Sequence, residues 1–225
     1  SKGESVMRID RWVMAVSAGI FLLAGPVVAQ DKAAKSMQSG FLGDGYSRLK
    51  DAESASGQKV KRWIAPEMKA GSYEFILLEP NIFYPQPRST EQVSEQTLKE
   101  INAYFDEAAR RELTGLFQFA KEPGPKTLRF KTAITSVAAK DMGLKPYQLL
   151  PIAFIATGGK TSKKASLAAE YEVLDADTGK VVGIGMREGV GVELKSATEK
   201  LTLAHVKPVI DAWAKDMRAF VEAAR

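Results

Sequence analysis

Residues 165–189 have the sequence ASLAAEYEVLDADTGKVVGIGMREG, which predicts the part of the sheet on which the neighbouring segments pack. Apolar and polar residues alternate on both sides of a short polar segment, a pattern typical of two β-strands in a hairpin. The polar segment contains Asp175, Asp177 and Gly179, and a glycine supplies the positive φ that a bulged hairpin turn requires. We therefore expect a central hairpin.

The alternation assigns the side chains of the hairpin to two faces. We expect the apolar face to contain Leu167, Ala169, Tyr171 and Val173, and to continue in Val182, Ile184 and Met186. Glu170 and Glu172 lie on the other face, where a neighbouring strand over 128–139 would place Arg129 and Lys131 beside them. Cross-strand ion pairs then explain these charges. An alternative is that Glu170 and Glu172 are the acids of a hydrolase, although nothing in their spacing demands it.

Apolar residues recur at helical spacing along 90–119 and 196–225, so each segment is predicted to be an amphipathic helix. Further strands are predicted at 60–65 and 73–79. These elements predict an α+β fold with a mainly antiparallel sheet of about four to five strands. Two long helices lie on one face of the sheet, and the element order is β-α-β-β-β-α.

Composition excludes several kinds of chemistry. The 225 residues include no cysteine and one histidine, which excludes disulfides, thiolate sites and a multi-histidine metal site within one chain. The net charge of +5 is scattered, so we expect no nucleic-acid partner. A calcium loop starting at Asp175 fails because Met186 stands where the loop needs a glutamate. We expect no cofactor, no metal and no enzymatic activity.

Two polar residues lie near the apolar stripes of the predicted helices. Glu112 falls inside the first stripe, and we expect an edge position from which its carboxylate reaches solvent or Arg111. His205 lies at the margin of the second stripe, where we expect one ring nitrogen in water. A catalytic base would need a nucleophile nearby, and no candidate for one is evident.

The first residues are typical of an export signal. Arg8 and Arg11 precede an apolar run and then small residues that end at Ala29, so 1–29 is predicted to be a signal peptide with an N-terminal extension at 1–6. Cleavage after Ala29 would give a periplasmic or secreted protein, whereas an uncleaved segment would attach it to the membrane. A flexible leader over 30–38 and a single α+β domain over 39–225 follow.

The apolar segment within 140–161 is either an extra strand or a mobile loop with a function. Its candidate interaction residues are Leu149, Leu150, Ile152, Phe154 and Ile155. The first functional hypothesis is a non-enzymatic interaction or assembly module, whose partner is an envelope protein or a second copy of the chain. The alternative is a periplasmic carrier of a small apolar ligand, with a closed pocket on the order of several hundred Å³ between helices and sheet.

Glycines alternate with aromatic and aliphatic residues at 40–49, where we expect an irregular segment held on the domain by its aromatic side chains. This segment begins a pattern that continues along the chain in Gly40-Phe41-Leu42, Tyr46, Leu49, Gly124-Pro125, Leu128, Ala133-Ile134-Thr135, Pro151, Glu170, Asp175, Thr178-Gly179 and Trp213-Ala214. The pattern resembles the bacterial domain of unknown function 3313 family, whose members are secreted or lipid-anchored envelope proteins. The resemblance implies an envelope location and a fold, and it brings no activity and no site residues. Many members have a cysteine at the signal exit, where this chain has Ala29-Gln30.

Overall fold

The structure is a computed structural model that describes residues 38–87, 93–139, 163–196 and 199–225. The predicted signal segment and most of the leader lie outside these residues. So does the candidate interaction loop with Leu149, Leu150, Ile152, Phe154 and Ile155.

Eight strands form one mixed sheet in the described part of the chain. They are β1 (Lys50–Glu53), β2 (Lys59–Ile64), β3 (Phe75–Leu78), β4 (Ile82–Phe83), β5 (Gln118–Phe119), β6 (Thr127–Ala139), β7 (Lys163–Asp175) and β8 (Val181–Leu194). Their order across the sheet is β1-β2-β8-β7-β6-β3-β5, and β4 also pairs with β6. Neighbouring strands along the part β1-β2-β8-β7-β6 of this order are antiparallel. β3 and β4 run parallel to β6, and β5 runs parallel to β3.

The predicted mixed architecture of one large sheet and two long helices is confirmed, but the predicted strand count, element order and mainly antiparallel pairing are wrong. The sheet has eight strands, and four of them precede the first helix. β4 and β5 contain two residues each, which is too short for a periodic pattern in the sequence. The parallel pairs arise because the chain crosses over through a helix between β4 and β6, as parallel strands require.

The two helices are α1 (Glu95–Leu113) and α2 (Leu203–Ala223), and both are shorter than predicted. α1 begins where the Ser94 hydroxyl accepts the N–H of Thr97 at 3.0 Å. It ends before Gly115, whose φ of +83° leaves the helical region, and the chain then forms β5. α2 begins after Thr202, whose N–H donates to Nδ1 of His205 at 3.1 Å. This bond gives His205 a role in capping the helix.

The hairpin of β7 and β8 is confirmed over its whole length, from Lys163 opposite Leu194 to Leu174 opposite Val181. Its turn is held by Asp175, whose Oδ1 accepts the N–H groups of Asp177 at 3.1 Å and Thr178 at 2.8 Å. The predicted apolar face is only partly right. Register places Ile184 opposite Glu172 and Met186 opposite Glu170, so both lie on the face away from the helices. The pairing register shifts between Val173 and Leu174, and the alternating pattern of the sequence does not show that shift.

Glycines occupy three positions on the helix-facing side of β8, each opposite a large residue of β7. Gly183 lies opposite Val173, Gly185 opposite Tyr171 and Gly189 opposite Leu167. A Cβ at position 189 would collide with Val209 of α2, and a Cβ at position 185 would collide with the ring of Tyr171. The absence of a side chain at Gly189 therefore lets α2 approach the sheet, and its absence at Gly185 leaves room for the Tyr171 ring.

Both helices cover the same face of the sheet, as predicted. Residues of α1, α2, β6 and β7 meet in one buried cluster, which includes Ile101, Ile210, Ile134 and Leu167. A second cluster near the end of α1 contains Leu113, Val182 and Leu128. The opposite face of the sheet is covered in part by residues 39–48, which end in a short 3-10 helix (Gly43–Arg48).

Candidate functional site

A cavity of about 150 Å³ lies between the helices and the sheet. Its walls are mostly apolar and come from both helices and five of the strands. They include Phe105 and Ala109 of α1, Ile210, Trp213 and Phe220 of α2, and Ile64, Ile76, Phe130 and Tyr171 of the sheet. An apolar cavity of about 150 Å³ in another protein takes up benzene. The cavity is smaller than the pocket expected for a carrier, so its occupant would be about the size of one aromatic ring.

An ion pair forms one part of the cavity wall. Arg187 of β8 and Asp216 of α2 are almost fully buried, with 12% and 6% of their side chains exposed, and their charged groups lie 2.7 Å apart. The N–H and hydroxyl of Ser56 donate to the Asp216 carboxylate at 2.9 Å and 3.0 Å. Burial opposes ionisation of Asp216, but the bonds from Arg187 and the serines outweigh it and lower its pKa. The buried Asp216 carboxylate therefore accepts hydrogen bonds from both Arg187 and Ser56.

Arg187 keeps one donor free of a partner in the described part of the chain. Its terminal nitrogen binds Asp216, while its buried Nε has no hydrogen-bond partner there. The guanidinium also lies 5.0 Å from the centre of the Trp213 ring, within cation–π distance. Arginine offers five N–H donors in a fixed plane, so a group fixed on one side still presents donors on the other. The site thus contains a preorganised guanidinium.

Tyr171 and Arg62 complete the polar part of the wall. Burial raises the pKa of Tyr171, and the nearby charges of Arg62 and Arg187 act against that rise, so the phenol is protonated at neutral pH. Arg62 lies over the ring of Phe220, 4.5 Å from its centre, and donates to the carbonyl of Glu53 at 3.4 Å. Two guanidinium groups, one phenol and the Asp216 carboxylate therefore border the cavity, and the backbone position of Glu170 borders it as well.

The two candidate acids of the hairpin occupy different environments. Glu172 pairs with Lys131 at 3.2 Å, as predicted. The expectation that both glutamates pair with Arg129 and Lys131 is only partly right, because Arg129 pairs with Glu79 and Glu170 has no basic partner across the strands. Register places Ala133, and not a basic residue, opposite Glu170.

Glu170 is 1% exposed and is held from the covering segment 39–48. The Tyr46 hydroxyl donates to its Oε2 at 2.7 Å, and the N–H and hydroxyl of Ser39 donate to its two oxygens at 3.1 Å and 3.0 Å. Burial raises the pKa of Glu170, and these three bonds oppose the rise. This geometry assigns Glu170 to fixing the covering segment on the sheet, and it agrees with the prediction that an aromatic side chain holds the segment there.

Other residues singled out in the sequence have structural partners. The Glu112 carboxylate lies 3.2 Å from Arg111 and is mostly buried, which confirms its predicted contact. Both ring nitrogens of His205 have partners, since Nε2 lies 3.2 Å from Glu199, so the predicted water contact is wrong. The described residues contain no cluster of three or more His, Asp or Glu that could hold a metal ion. Neither described helix is both long and apolar enough to cross a bilayer.

Sequence reasoning missed the polar residues of the cavity, although two signals were present. Asp216 lies beside the apolar stripe of α2, between Trp213 and Phe220 in sequence, where a carboxylate needs a partner. Arg187 follows a strand segment made of glycine and apolar residues. Each signal marks a charged residue next to the core, but neither identifies its partner.

Comparison with known proteins places the chain in a family. A family model described as "Protein of unknown function (DUF3313)" matches residues 37–217. An uncharacterized lipoprotein, YdcL of Escherichia coli K12, is 32% identical over 187 residues, which is 81% of this chain and 84% of the relative.

Two solved structures match the chain at low similarity. A PelC dodecamer from Paraburkholderia phytofirmans is 8% identical, with 71% of this chain and 98% of that chain covered and a TM-score of 0.37. Protein XCC0632 from Xanthomonas campestris is 9% identical, with 72% and 91% covered and a TM-score of 0.38. TM-scores this low support no conclusion about this chain. The family match and the curated relative are sufficient by themselves: the chain belongs to the DUF3313 family of proteins of unknown function.

Proposed function

We propose that this chain is an exported envelope protein that binds a small apolar molecule in the cavity between its helices and sheet. The observation that carries the proposal is the cavity of about 150 Å³ with mostly apolar walls. An envelope location is supported by the signal-like residues 1–29 and by a relative that is named a lipoprotein.

The energetics of the cavity favour an occupant. Protein interiors are close-packed, and empty space in a core lowers stability by about 24 cal/mol per Å³. Apolar walls that stay exposed to water are likewise unfavourable, because each Å² of apolar surface removed from water contributes about 25 cal/mol. A ligand that fills the space recovers part of this free energy, which makes the cavity a binding site of modest intrinsic affinity.

Thermal unfolding of the purified full chain with and without toluene tests the proposal. Toluene is uncharged and matches the cavity in size. At about ten times its dissociation constant we expect a stabilisation of about 1.4 kcal/mol. For a domain of this size that is a rise in Tm of about 3–6 °C.

A pair of variants on α1 controls for non-specific effects. Ala109 is buried and borders the cavity, so Ala109→Leu fills part of it and we expect the toluene shift to disappear. Ala103 is exposed on the same helix, so Ala103→Leu makes the same chemical change away from the cavity and should keep the shift. No shift with toluene in the unmodified chain, or an equal shift in both variants, contradicts the proposal.

The interaction or assembly role stays a prediction, because its candidate loop lies outside the described residues. Binding of an envelope protein or of a second copy is compatible with a ligand cavity, since the described residues that border the cavity lie outside 140–161.

A further inference from the structure

We infer that the ligand of this cavity is an amphipathic monoanion, an apolar ring or short chain with one carboxylate that Arg187 binds. The inference rests on the proposed function and adds the chemical class of the ligand. Its observations are the charges around the cavity, the fixed guanidinium of Arg187 and the size of the apolar space.

The charges that border the cavity do not balance. Arg62 and Arg187 contribute two positive charges, and Asp216 contributes one negative charge. Glu170 also borders the cavity, but its carboxylate is bound on the opposite face of the sheet by Ser39 and Tyr46. An anionic group in the cavity would offset the remaining positive charge in surroundings of low dielectric constant, where charge interactions are strong.

The guanidinium of Arg187 gives the anion a defined position, because Arg187 is one of the residues that border the cavity. The ion pair with Asp216 at 2.7 Å and the contact with Trp213 already fix the guanidinium, so a carboxylate would bind without ordering it further. Tyr171 borders the same space and supplies a neutral hydroxyl donor.

The apolar space limits the rest of the ligand. The cavity of about 150 Å³ takes a single ring or a chain of similar size, and its remaining walls come from residues such as Ile76, Phe105 and Phe220. Benzoate combines one ring with one carboxylate. Benzyl alcohol has nearly the same shape without the charge, so the two compounds form a matched pair of probes.

Calorimetric titration of the full chain with benzoate and with benzyl alcohol at pH 7 tests the inference. We expect benzoate to bind at least about tenfold more tightly, the factor that one charge-assisted hydrogen bond supplies. Ala109→Leu should weaken the binding of both ligands if they bind in the cavity, whereas binding at the protein surface would be unchanged. Equal affinities overturn the inference and leave the proposed function in place, whereas no binding of either compound overturns both.

Two conservative variants separate recognition of the anion from a structural role. Arg62→Gln removes one positive charge from a partly exposed residue, and we expect several-fold weaker benzoate binding with unchanged benzyl alcohol binding. Asp216→Asn keeps an acceptor for Ser56 and removes the competing negative charge, so benzoate should bind several-fold more tightly. Arg187 itself is unsuitable, because weaker benzoate binding after its loss would not distinguish lost recognition of the anion from the disruption caused by an unpaired, buried Asp216. A fall in benzoate affinity in a folded Asp216→Asn variant would overturn the inference.

Discussion

The replacement of Tyr46 by phenylalanine tests how residues 39–48 are held on the sheet. The substitution removes the hydroxyl that donates to Glu170 at 2.7 Å and that accepts the exposed N–H of Gly40 at 2.8 Å, and it leaves the ring in place. A hydrogen bond to a charged group contributes about 1.5–3 kcal/mol. Because Ser39 keeps both of its bonds to Glu170, the carboxylate is not left without partners, and we expect a loss of about 2 kcal/mol.

Urea unfolding at pH 7 measures this loss as a change in the free energy of unfolding, and thermal unfolding should show a Tm lower by about 4–8 °C. The loss should shrink on acidification. The bond from Tyr46 lowers the pKa of Glu170, whereas burial raises it, so removal of the bond raises that pKa further. The folded protein with ionised Glu170 is therefore destabilised more than the folded protein with protonated Glu170.

Tyr84→Phe is the matched control. Tyr84 is 39% exposed and its ring lies 5.9 Å from that of Phe41 in the same covering segment, so loss of its hydroxyl should leave stability nearly unchanged. If Tyr46→Phe is no less stable than Tyr84→Phe at pH 7, the bond to Glu170 does not hold the segment and the reasoning is refuted.

Two further substitutions test the faces of the sheet. Gly189→Ala places a Cβ against Val209 of α2, and we expect it to lower the free energy of unfolding in urea by about 1–3 kcal/mol. In the control Gly124→Ala the new Cβ would lie 4.0 Å from its nearest neighbour, so that variant should be nearly neutral. Equal effects would contradict the close approach of α2. Glu170→Gln removes a carboxyl whose pKa is raised in the folded state. The stabilising contribution of such a group is complete below its unfolded pKa of about 4.3 and is lost as the pH rises through its folded pKa. Stability of the wild-type chain relative to the variant, measured by urea unfolding, should therefore fall from pH 4 towards pH 7, and a rise would contradict the burial of Glu170.

Local chemistry explains which parts of the fold could be predicted. The turn after β7 is specified by Asp175 and Gly179 themselves, since one accepts backbone N–H groups within the turn and the other has a φ of +70°. The helices follow from apolar spacing along continuous segments. β4 and β5 could not be predicted, because two residues show no period and their pairing depends on where α1 returns the chain.

The environment of a residue on a predicted sheet face depends on what covers that face. Alternation places Glu170 and Glu172 on one face correctly, but it cannot show that residues 39–48 cover Glu170 and leave Glu172 with Lys131. The same limit applies to the cavity. Arg187 and Asp216 are 29 residues apart in sequence, and only the packing of α2 on β8 brings them together.

A crystal structure of the chain grown with benzoate tests most directly whether the cavity is a ligand site. We expect density for the ring inside the cavity, beside Trp213, and a carboxylate oxygen within about 2.7–3.2 Å of a guanidinium nitrogen of Arg187. A cavity without benzoate, with the compound absent or bound only at the surface, would contradict the proposed site.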